Sequence, residues 1–191
     1  MALVMTSGPA VEPVPLAEAK AHLRVADTIE DVLISSLVLT ARVTIEQLAN
    51  VAMITQAWTL VIDRWPDEAT VDIPLRPLQA ISAVRVKNAS GAGIAIPATS
   101  YLVDLVSKPP RLIWNNAVRP VPGVPINGIE IDLSAGFGAT GASVPAPLKH
   151  AILVLVAHLY ENRDIVELGS PQARIPEAVA DLIAPFRRIR L

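Results

Sequence analysis

The stretch VPAPLKHAILVLVAHLYENRDIV, residues 144–166, predicts one long helix. Pro145 and Pro147 stand where the first turn of a helix tolerates proline, because those N–H groups would have no partner within the helix. Apolar residues then recur at the four-three-four spacing of one helix face: Leu148, Ile152, Leu155 and Leu159. Other apolar residues carry that surface around the helix: Leu153, Val154 and Val156. A helix that is apolar nearly all round is buried on more than one side.

We therefore expect this helix to pack within its own domain on one side and against a second copy of the chain on the other. The residues that we expect at this subunit interface are Ile152, Leu155, Val156 and Leu159. A membrane span is not indicated, because the unbroken apolar run at 151–157 is far shorter than the roughly 20 residues that a bilayer requires.

The stretch before the helix, GFGATG at 136–141, has the glycine spacing of a dinucleotide-binding loop. In such a loop the helix starts within the glycines, so that its N-terminus meets the pyrophosphate. Here the residues SVPAP at 143–147 intervene, and no strand ending in an acidic residue follows the helix. We interpret Gly136 to Gly141 as a flexible hinge, with nucleotide binding as the alternative.

The middle of the chain predicts short strands. Alternating and β-branched patterns stand at 53–63, 70–73, 81–88, 101–104, 111–114 and 128–134. Proline, glycine and asparagine turns separate them, and no helical pattern intervenes. Short strands with short turns indicate an antiparallel sheet or small barrel and not βαβ units.

The N-terminal part predicts an arm and two helices. Prolines at 9, 13 and 15 indicate an irregular arm over residues 1–14, followed by a helix at 15–23. A second helix at 28–50 would begin with a capping box of Thr28 and Asp31. Its apolar stripe would comprise Ile29, Leu33, Leu37, Ala41, Ile45 and Leu48. A last helix is predicted at 176–186.

This order of elements predicts an α+β fold, in which two N-terminal and two C-terminal helices form a helical bundle with an inserted antiparallel β lobe. The expected parts are the arm and helices at 1–52, the β lobe at 53–143, and the C-terminal helices with a terminal tail at 144–191.

Composition limits the possible functions. Hydrophobic residues make up 52% of the chain, which argues against disorder, whereas aromatic residues make up 4%, which argues against stacking on single-stranded nucleic acid. The net charge of −2 creates no basic field for nucleic acid, and the chain has no cysteine for disulfides or thiolate chemistry. The N-terminus lacks the layout of a signal peptide, so we expect an intracellular origin.

Catalytic and metal-binding patterns are also missing from the sequence. His22 lies on the first helix, and His150 and His158 lie two turns apart on the long helix, without a His-Glu-x-x-His pattern. No Gly-x-Ser-x-Gly elbow is present. The tail, FRRIRL at 186–191, is basic and partly apolar, which fits either a solvated end or a docking segment.

Several short motifs together resemble the head-to-tail connector (adaptor) proteins of long-tailed phages and gene transfer agents. They are PLAEAKAHLRV at 15–25, the pair Glu30-Asp31, ITQAW at 54–58, DRWP at 63–66, IPLRPL at 73–78, AGFG at 135–138, VPAPL at 144–148 and HLYENR at 158–163. The resemblance spans nearly the whole chain. The proline-rich stretch at 115–125 departs from it.

The resemblance implies a structural protein of the virion or phage-like particle neck, made in the bacterial cytoplasm. Such a protein forms a ring, dodecameric in the particle, beneath the portal protein, and it offers a platform for a stopper or tail-terminator protein. DNA would pass through its channel without specific binding, and no membrane is involved. The family implies no catalytic residue, cofactor or metal.

In related adaptors the C-terminal segment reaches the portal, so the resemblance implies a portal-binding role for Phe186, Arg187, Arg188, Ile189, Arg190 and Leu191. Two other functions remain open at this point. One is a tail-side neck or tail-completion protein, and the other is a nucleotide-binding protein that uses Gly136 to Gly141.

Overall fold

The computed structural model describes residues 1–115, 119–163 and 175–187. The chain forms two compact units, a β unit from residues 1–9 and 55–136 and a helical unit from residues 10–54 and 137–191. The predicted α+β class, with a β lobe inserted into a helical bundle, is confirmed. The chain passes from one unit to the other at three places, after residues 9, 54 and 136.

The helical unit contains four α-helices among the described residues: α1 (Leu16–Leu23), α2 (Asp31–Ala49), α3 (Ala146–Glu161) and α4 (Glu177–Ile183). A 3₁₀ turn, Ala184–Phe186, follows α4 directly. Pro145 precedes the first residue of α3 and Pro147 lies in its first turn, as the sequence predicts. Leu148 and Ile152 of α3 are fully buried, together with Ile34 and Ile45 of α2, so these two helices supply the centre of the core.

The start of α2 corrects the predicted capping box. The helix begins at Asp31 after Glu30, and no side chain caps its N-terminus. Thr28 lies outside the helix, in a turn where the Asp27 carboxylate accepts a hydrogen bond from the Ile29 N–H at 3.0 Å. The far end agrees with expectation, because Asn50 adopts the left-handed conformation with a φ of 55° and ends the helix.

The buried face of α2 is also rotated from the predicted stripe. The buried residues are Ile34, Val38, Ala41, Arg42, Ile45 and Ala49. Ile29, which the sequence predicts at the start of the stripe, is 88% exposed and lies outside the helix. Because apolar residues occur on every side of α2, their spacing alone did not identify the side that meets the core.

The β unit contains two antiparallel sheets. A five-stranded sheet has the order β1-β2-β8-β4-β5, formed by β1 (Ala2–Ser7), β2 (Gln56–Ile62), β4 (Leu78–Lys87), β5 (Gly93–Ala95) and β8 (Ile129–Ala135). A three-stranded sheet has the order β3-β7-β6, formed by β3 (Thr70–Asp72), β6 (Tyr101–Asp104) and β7 (Arg111–Trp114). Along β8 the residues alternate between buried and half-buried, as in a sheet that packs its core on one face.

Strand β1 corrects the predicted irregular arm. Residues 2–7 pair antiparallel with β2, with Ala2 opposite Val61 and Leu3 opposite Leu60. The prolines that indicated an irregular arm begin only at Pro9, so they leave residues 2–7 free to form a strand. The first nine residues therefore belong to the β unit, and the arm of the helical unit starts at residue 10.

Strand β5 is a second strand that the sequence analysis missed. It pairs with β4 through a turn in which the Asn88 side chain accepts hydrogen bonds from the N–H groups of Ser90 and Ala92, each at 3.0 Å. Gly91 in this turn has a φ of 82°, a backbone conformation that residues other than glycine rarely adopt. With only three residues, β5 is too short to show an alternating pattern.

Candidate functional site

Backbone hydrogen bonds hold the start of the glycine run and the residues just after it. Within the helical unit, the Phe137 N–H donates to the Met53 carbonyl at 3.0 Å and the Ser143 N–H donates to the Thr140 carbonyl at 3.1 Å. Within the β unit, the Gly136 N–H donates to the Pro77 carbonyl at 2.9 Å. These backbone donors already have partners in the chain, whereas a phosphate-binding loop directs its N–H groups at the ligand.

The glycines are explained by close packing. A Cβ atom on Gly141 would lie 2.3 Å from the Pro13 carbonyl oxygen, and one on Gly138 would lie 2.4 Å from the Ser143 hydroxyl. Gly138 also forms a parallel bridge with Ile54. The glycine run, which the sequence predicts to be a flexible hinge, is therefore packed against Pro13 and Ser143 of its own chain.

The histidines do not assemble a metal site in the described residues. The rings of His22 and His150 meet edge to face with their centroids 6.4 Å apart, and both residues are exposed. His158 lies one turn from Asn162, whose side-chain amide donates to the His158 carbonyl at 2.8 Å. The part of the chain that the structure describes holds no group of three histidine or acidic side chains placed to bind a metal.

The predicted interface residues of α3 are located mostly inside the helical unit. Ile152, Leu155 and Val156 are buried, and Leu159 is half-buried against the same core. Three of the four side chains are thus occupied by contacts within a single copy of the chain. A subunit contact through this face stays a prediction, and Leu159 is the member of the set that keeps some exposed surface.

The predicted portal-binding segment is only partly described. Phe186 ends the 3₁₀ turn and packs on the helical core, with its ring edge-on to Phe137 at a centroid distance of 6.4 Å. Arg187 follows it and is exposed. Arg188, Ile189, Arg190 and Leu191 lie outside the described residues. The ring of Phe186 therefore finds apolar surface in its own unit, and a portal contact of this residue stays a prediction.

An ion-pair network around the buried Arg42 of α2 was not predicted from the sequence. The Arg42 guanidinium donates to the Glu12 carboxylate at 2.7 Å and to the Glu46 carboxylate at 2.6 Å. Burial alone would lower the pKa of Arg42, but the hydrogen bond to Glu12 and the charge of Glu46 outweigh it and raise that pKa. Glu46 also accepts the Met53 N–H at 2.7 Å, so the network ties two connecting segments to α2.

A second polar cluster joins two of the motifs that carry the family resemblance. The Tyr160 hydroxyl donates to the Glu30 carboxylate, and the Arg163 guanidinium pairs with the same carboxylate at 2.7 Å. The hydrogen bond from Tyr160, followed by that from Arg163, lowers the pKa of Glu30. The arrangement connects the turn before α2 to the end of α3, so its evident role is structural.

The outward side of α2 carries an uncharged surface. Val32, Leu39 and Val43 lie on one side of the helix and are 84%, 46% and 38% exposed. Arg42 is the only charged residue among residues 32–45, and it is buried. We call Val32, Ser36, Leu39, Thr40 and Val43 the outer face of α2. The signal that could have revealed it is the excess of apolar residues around the whole helix.

An open groove of about 540 Å³ in the β unit is lined by residues 62–68 and 70–72 and by Met1. Its charged groups are Asp63, Arg64, Asp67, Glu68 and Asp72. No histidine or lysine accompanies these groups in the lining.

Solved structures of gene transfer agent particles contain chains that are similar to this one along its full length. A chain in the virion of a native gene transfer agent particle is 27% identical, with a TM-score of 0.82, and the match covers 100% of this chain and 97% of that one. The chain has the fold of a gene transfer agent neck protein. A chain in the neck of the empty particle, computed with C6 symmetry, is 28% identical to this chain, with a TM-score of 0.83. A chain in the neck of the native particle, computed with C12 symmetry, is 27% identical, with a TM-score of 0.80.

Both neck matches also cover 100% of this chain and 97% of the other chain, so the similarity to a neck protein includes both units. No family model matches the chain, and no curated protein matches it.

Proposed function

We propose that this protein is a structural component of the neck of a gene transfer agent or phage-like particle, and that it acts there as a head-to-tail adaptor. In this role it forms a ring below the portal protein, extends the DNA channel, and joins the capsid to the tail. The observation that carries the proposal is the full-length similarity to chains in two neck structures, one computed with C6 and one with C12 symmetry.

We propose that this role is structural and not catalytic, because the similar chains belong to particle necks. Gly136 and Phe137 donate their N–H groups to carbonyls of the chain, and the described residues hold no group of three histidine or acidic side chains placed to bind a metal. The near-neutral net charge of −2 also suits a channel wall, because each phosphate contact by lysine or arginine would add to the binding of passing DNA.

We propose that the segment after Phe186 binds the portal protein. The ring of Phe186 is fixed on the helical unit, so Arg187 is the first residue of the tail that is free of the core. The arginines at 187, 188 and 190 can pair with carboxylates in bidentate geometry, and an extended tail can add main-chain hydrogen bonds to an exposed strand edge.

Deletion of residues 187–191 in the particle-producing host tests this role. We expect a folded subunit, with the melting temperature of the full chain, and DNA-filled heads that lack both this protein and tails. A matched variant with Arg187, Arg188 and Arg190 all changed to serine keeps the tail length and separates the charge from the main-chain contribution. Tailed, infectious or transducing particles at the normal level after the deletion would contradict the proposal.

The alternative within the neck is a tail-side or tail-completion protein. The similarity to chains in neck structures agrees with a portal-side and with a tail-side position, since both positions belong to the neck. Electron microscopy of heads that fail to acquire tails distinguishes them. An adaptor remains attached to the portal of such heads, whereas a tail-side protein is found on the free tails.

A further inference from the structure

We propose that the outer face of α2 is the surface through which one copy of this chain packs against the next copy in a ring. This proposal rests on the neck function proposed above, and it adds the surface that would form the ring. The face comprises Val32, Ser36, Leu39, Thr40 and Val43, which are all exposed in a single copy.

The composition of the face is that of a buried surface. A helix that faces water usually carries charged residues on its solvent side. Among residues 32–45 of α2 the only charged side chain is Arg42, which turns inward to Glu12 and Glu46. The cores of protein interfaces are likewise depleted in charged residues.

The two hydroxyl groups of the outer face, and that of Thr44 beside it, already donate hydrogen bonds within the helix. Ser36 donates to the Leu33 carbonyl at 2.7 Å, Thr40 donates to the Ser36 carbonyl at 2.8 Å, and Thr44 donates to the Thr40 carbonyl at 2.8 Å. These donors therefore need no water when the face is covered, so a partner can bury it without leaving them unpaired. Ser36 is also small, which allows a neighbour to approach the helix closely.

The symmetry of the neck structures favours a second copy as the partner. Chains similar to this one occur in necks computed with C6 and C12 symmetry, so several copies of such a chain surround one axis and neighbouring copies can share an interface. Such an interface is heterologous, so one surface of a subunit meets a different surface of the next. The outer face of α2 should therefore meet a segment of the neighbour other than α2.

A membrane is the other candidate for an uncharged helix face. By length and composition α2 could cross a bilayer, as can many core helices of soluble proteins. However, Ile34, Val38 and Ile45 on its opposite side are buried in the core of the helical unit, and Arg42 is ion-paired there. A helix lying in a membrane interface also carries a strongly charged polar side, which α2 lacks. These contacts favour a protein partner.

A photo-crosslinking amino acid encoded at position 32, at the exposed end of the face, tests the proposal in assembled particles. The control carries the same group at position 17, an exposed alanine of α1. We expect irradiation of purified particles to yield dimers of this chain at least tenfold more efficiently from position 32 than from position 17. Mass spectrometry should locate the attachment outside Asp31–Ala49 of the neighbour.

A cross-link to a different protein, a cross-link between two α2 helices, or no cross-link would overturn the proposal while leaving the neck function intact. Absence of the chain from purified particles would overturn both. As a second test, Leu39→Glu should reduce the incorporation of the chain into particles at least tenfold without changing its melting temperature, whereas Ala17→Glu should change neither. Flotation of the purified chain with phosphatidylglycerol vesicles that is abolished by Leu39→Glu would instead indicate a membrane partner.

Discussion

At the scale of single residues, Arg42 determines how α2 holds its connecting segments. We expect Arg42→Ala to lower the free energy of unfolding by about 3–5 kcal/mol, because the substitution leaves the Glu46 carboxylate, whose side chain is only 11% exposed, without its guanidinium partner. Arg111→Ala is the matched control, since Arg111 pairs with Asp104 at the surface and an exposed pair contributes about 1 kcal/mol or less. Urea denaturation measures the free energy of unfolding of both variants. Equal losses of stability would show that the Arg42 ion pairs contribute no more than an exposed pair.

Glu130 makes the stability of the β unit depend on pH. Its carboxylate pairs with Lys87 at 2.8 Å and with Arg85 at 3.3 Å, and the bond from Lys87 leads the interactions that lower its pKa below the ordinary value of 4.5. A lowered folded-state pKa stabilises the fold above pH 4.5, and this contribution is lost as the pH falls below it.

The corresponding prediction concerns Glu130→Gln. The free energy of unfolding should fall between neutral and acidic pH in the unmodified chain, and the substitution should reduce that fall by about 1 kcal/mol. Glu177→Gln, at an exposed position of α4, is the control for the loss of a carboxylate that lacks these ion pairs. Denaturation curves at neutral and at acidic pH measure the free energy of unfolding of the unmodified chain and of both variants. An equal fall in all three proteins would show that the Glu130 ion pairs contribute nothing to the pH dependence.

At the scale of elements, α3 should contribute to the stability of a single copy. Leu155 is 3% exposed, so Leu155→Ala should cost about 2–5 kcal/mol by leaving a cavity in the helical core. Leu102→Ala applies the same change at an exposed position of β6 and should stay within about 0.5 kcal/mol. Thermal unfolding of the purified monomer measures both. A negligible effect of Leu155→Ala would instead favour the predicted role of this residue between subunits.

Strand β1 protects one edge of the five-stranded sheet. Removal of residues 1–8 should expose the edge of β2, because β1 is its outer neighbour, and an unpaired edge promotes association with other chains. We expect the truncated protein to aggregate, as measured by size-exclusion chromatography. Val4→Ala, which changes an exposed side chain and keeps the main-chain pairing, should elute as the full chain does. A monomeric, soluble truncated protein would contradict this role.

At the scale of the whole molecule, the charge balance predicts weak contact with DNA. The net charge is −2, with 16 basic and 18 acidic residues. We therefore expect a dissociation constant for duplex DNA above about 10⁻⁴ M at physiological salt. Fluorescence anisotropy with a labelled duplex measures it, and a basic DNA-binding protein provides the positive control. Micromolar affinity at that salt concentration would contradict a channel that lets DNA pass freely.

The sequence by itself determined the class of fold and most of its elements. Local signals suffice for these, since the prolines at 145 and 147 mark the start of α3 and the alternating runs at 101–104 and 111–114 coincide with β6 and β7. The resemblance to adaptor proteins, carried by short motifs, agrees with the later similarity to neck chains. The basic tail was also evident from its residues, although Phe186 proved to belong to the core.

Only the tertiary structure decided which surfaces are free. Strand β1 exists because it pairs with β2, about fifty to sixty residues away in the chain, and no local pattern encodes that partner. The glycine run resembles a nucleotide loop by its spacing, yet Pro13 and Ser143 lie where side chains would be. In α2, apolar residues occupy every side, and the packing of α2 against α3 selects the side that carries the buried Ile34 and Ile45. Because burial depends on contacts between distant segments, the outer face of α2 became visible only in the folded chain.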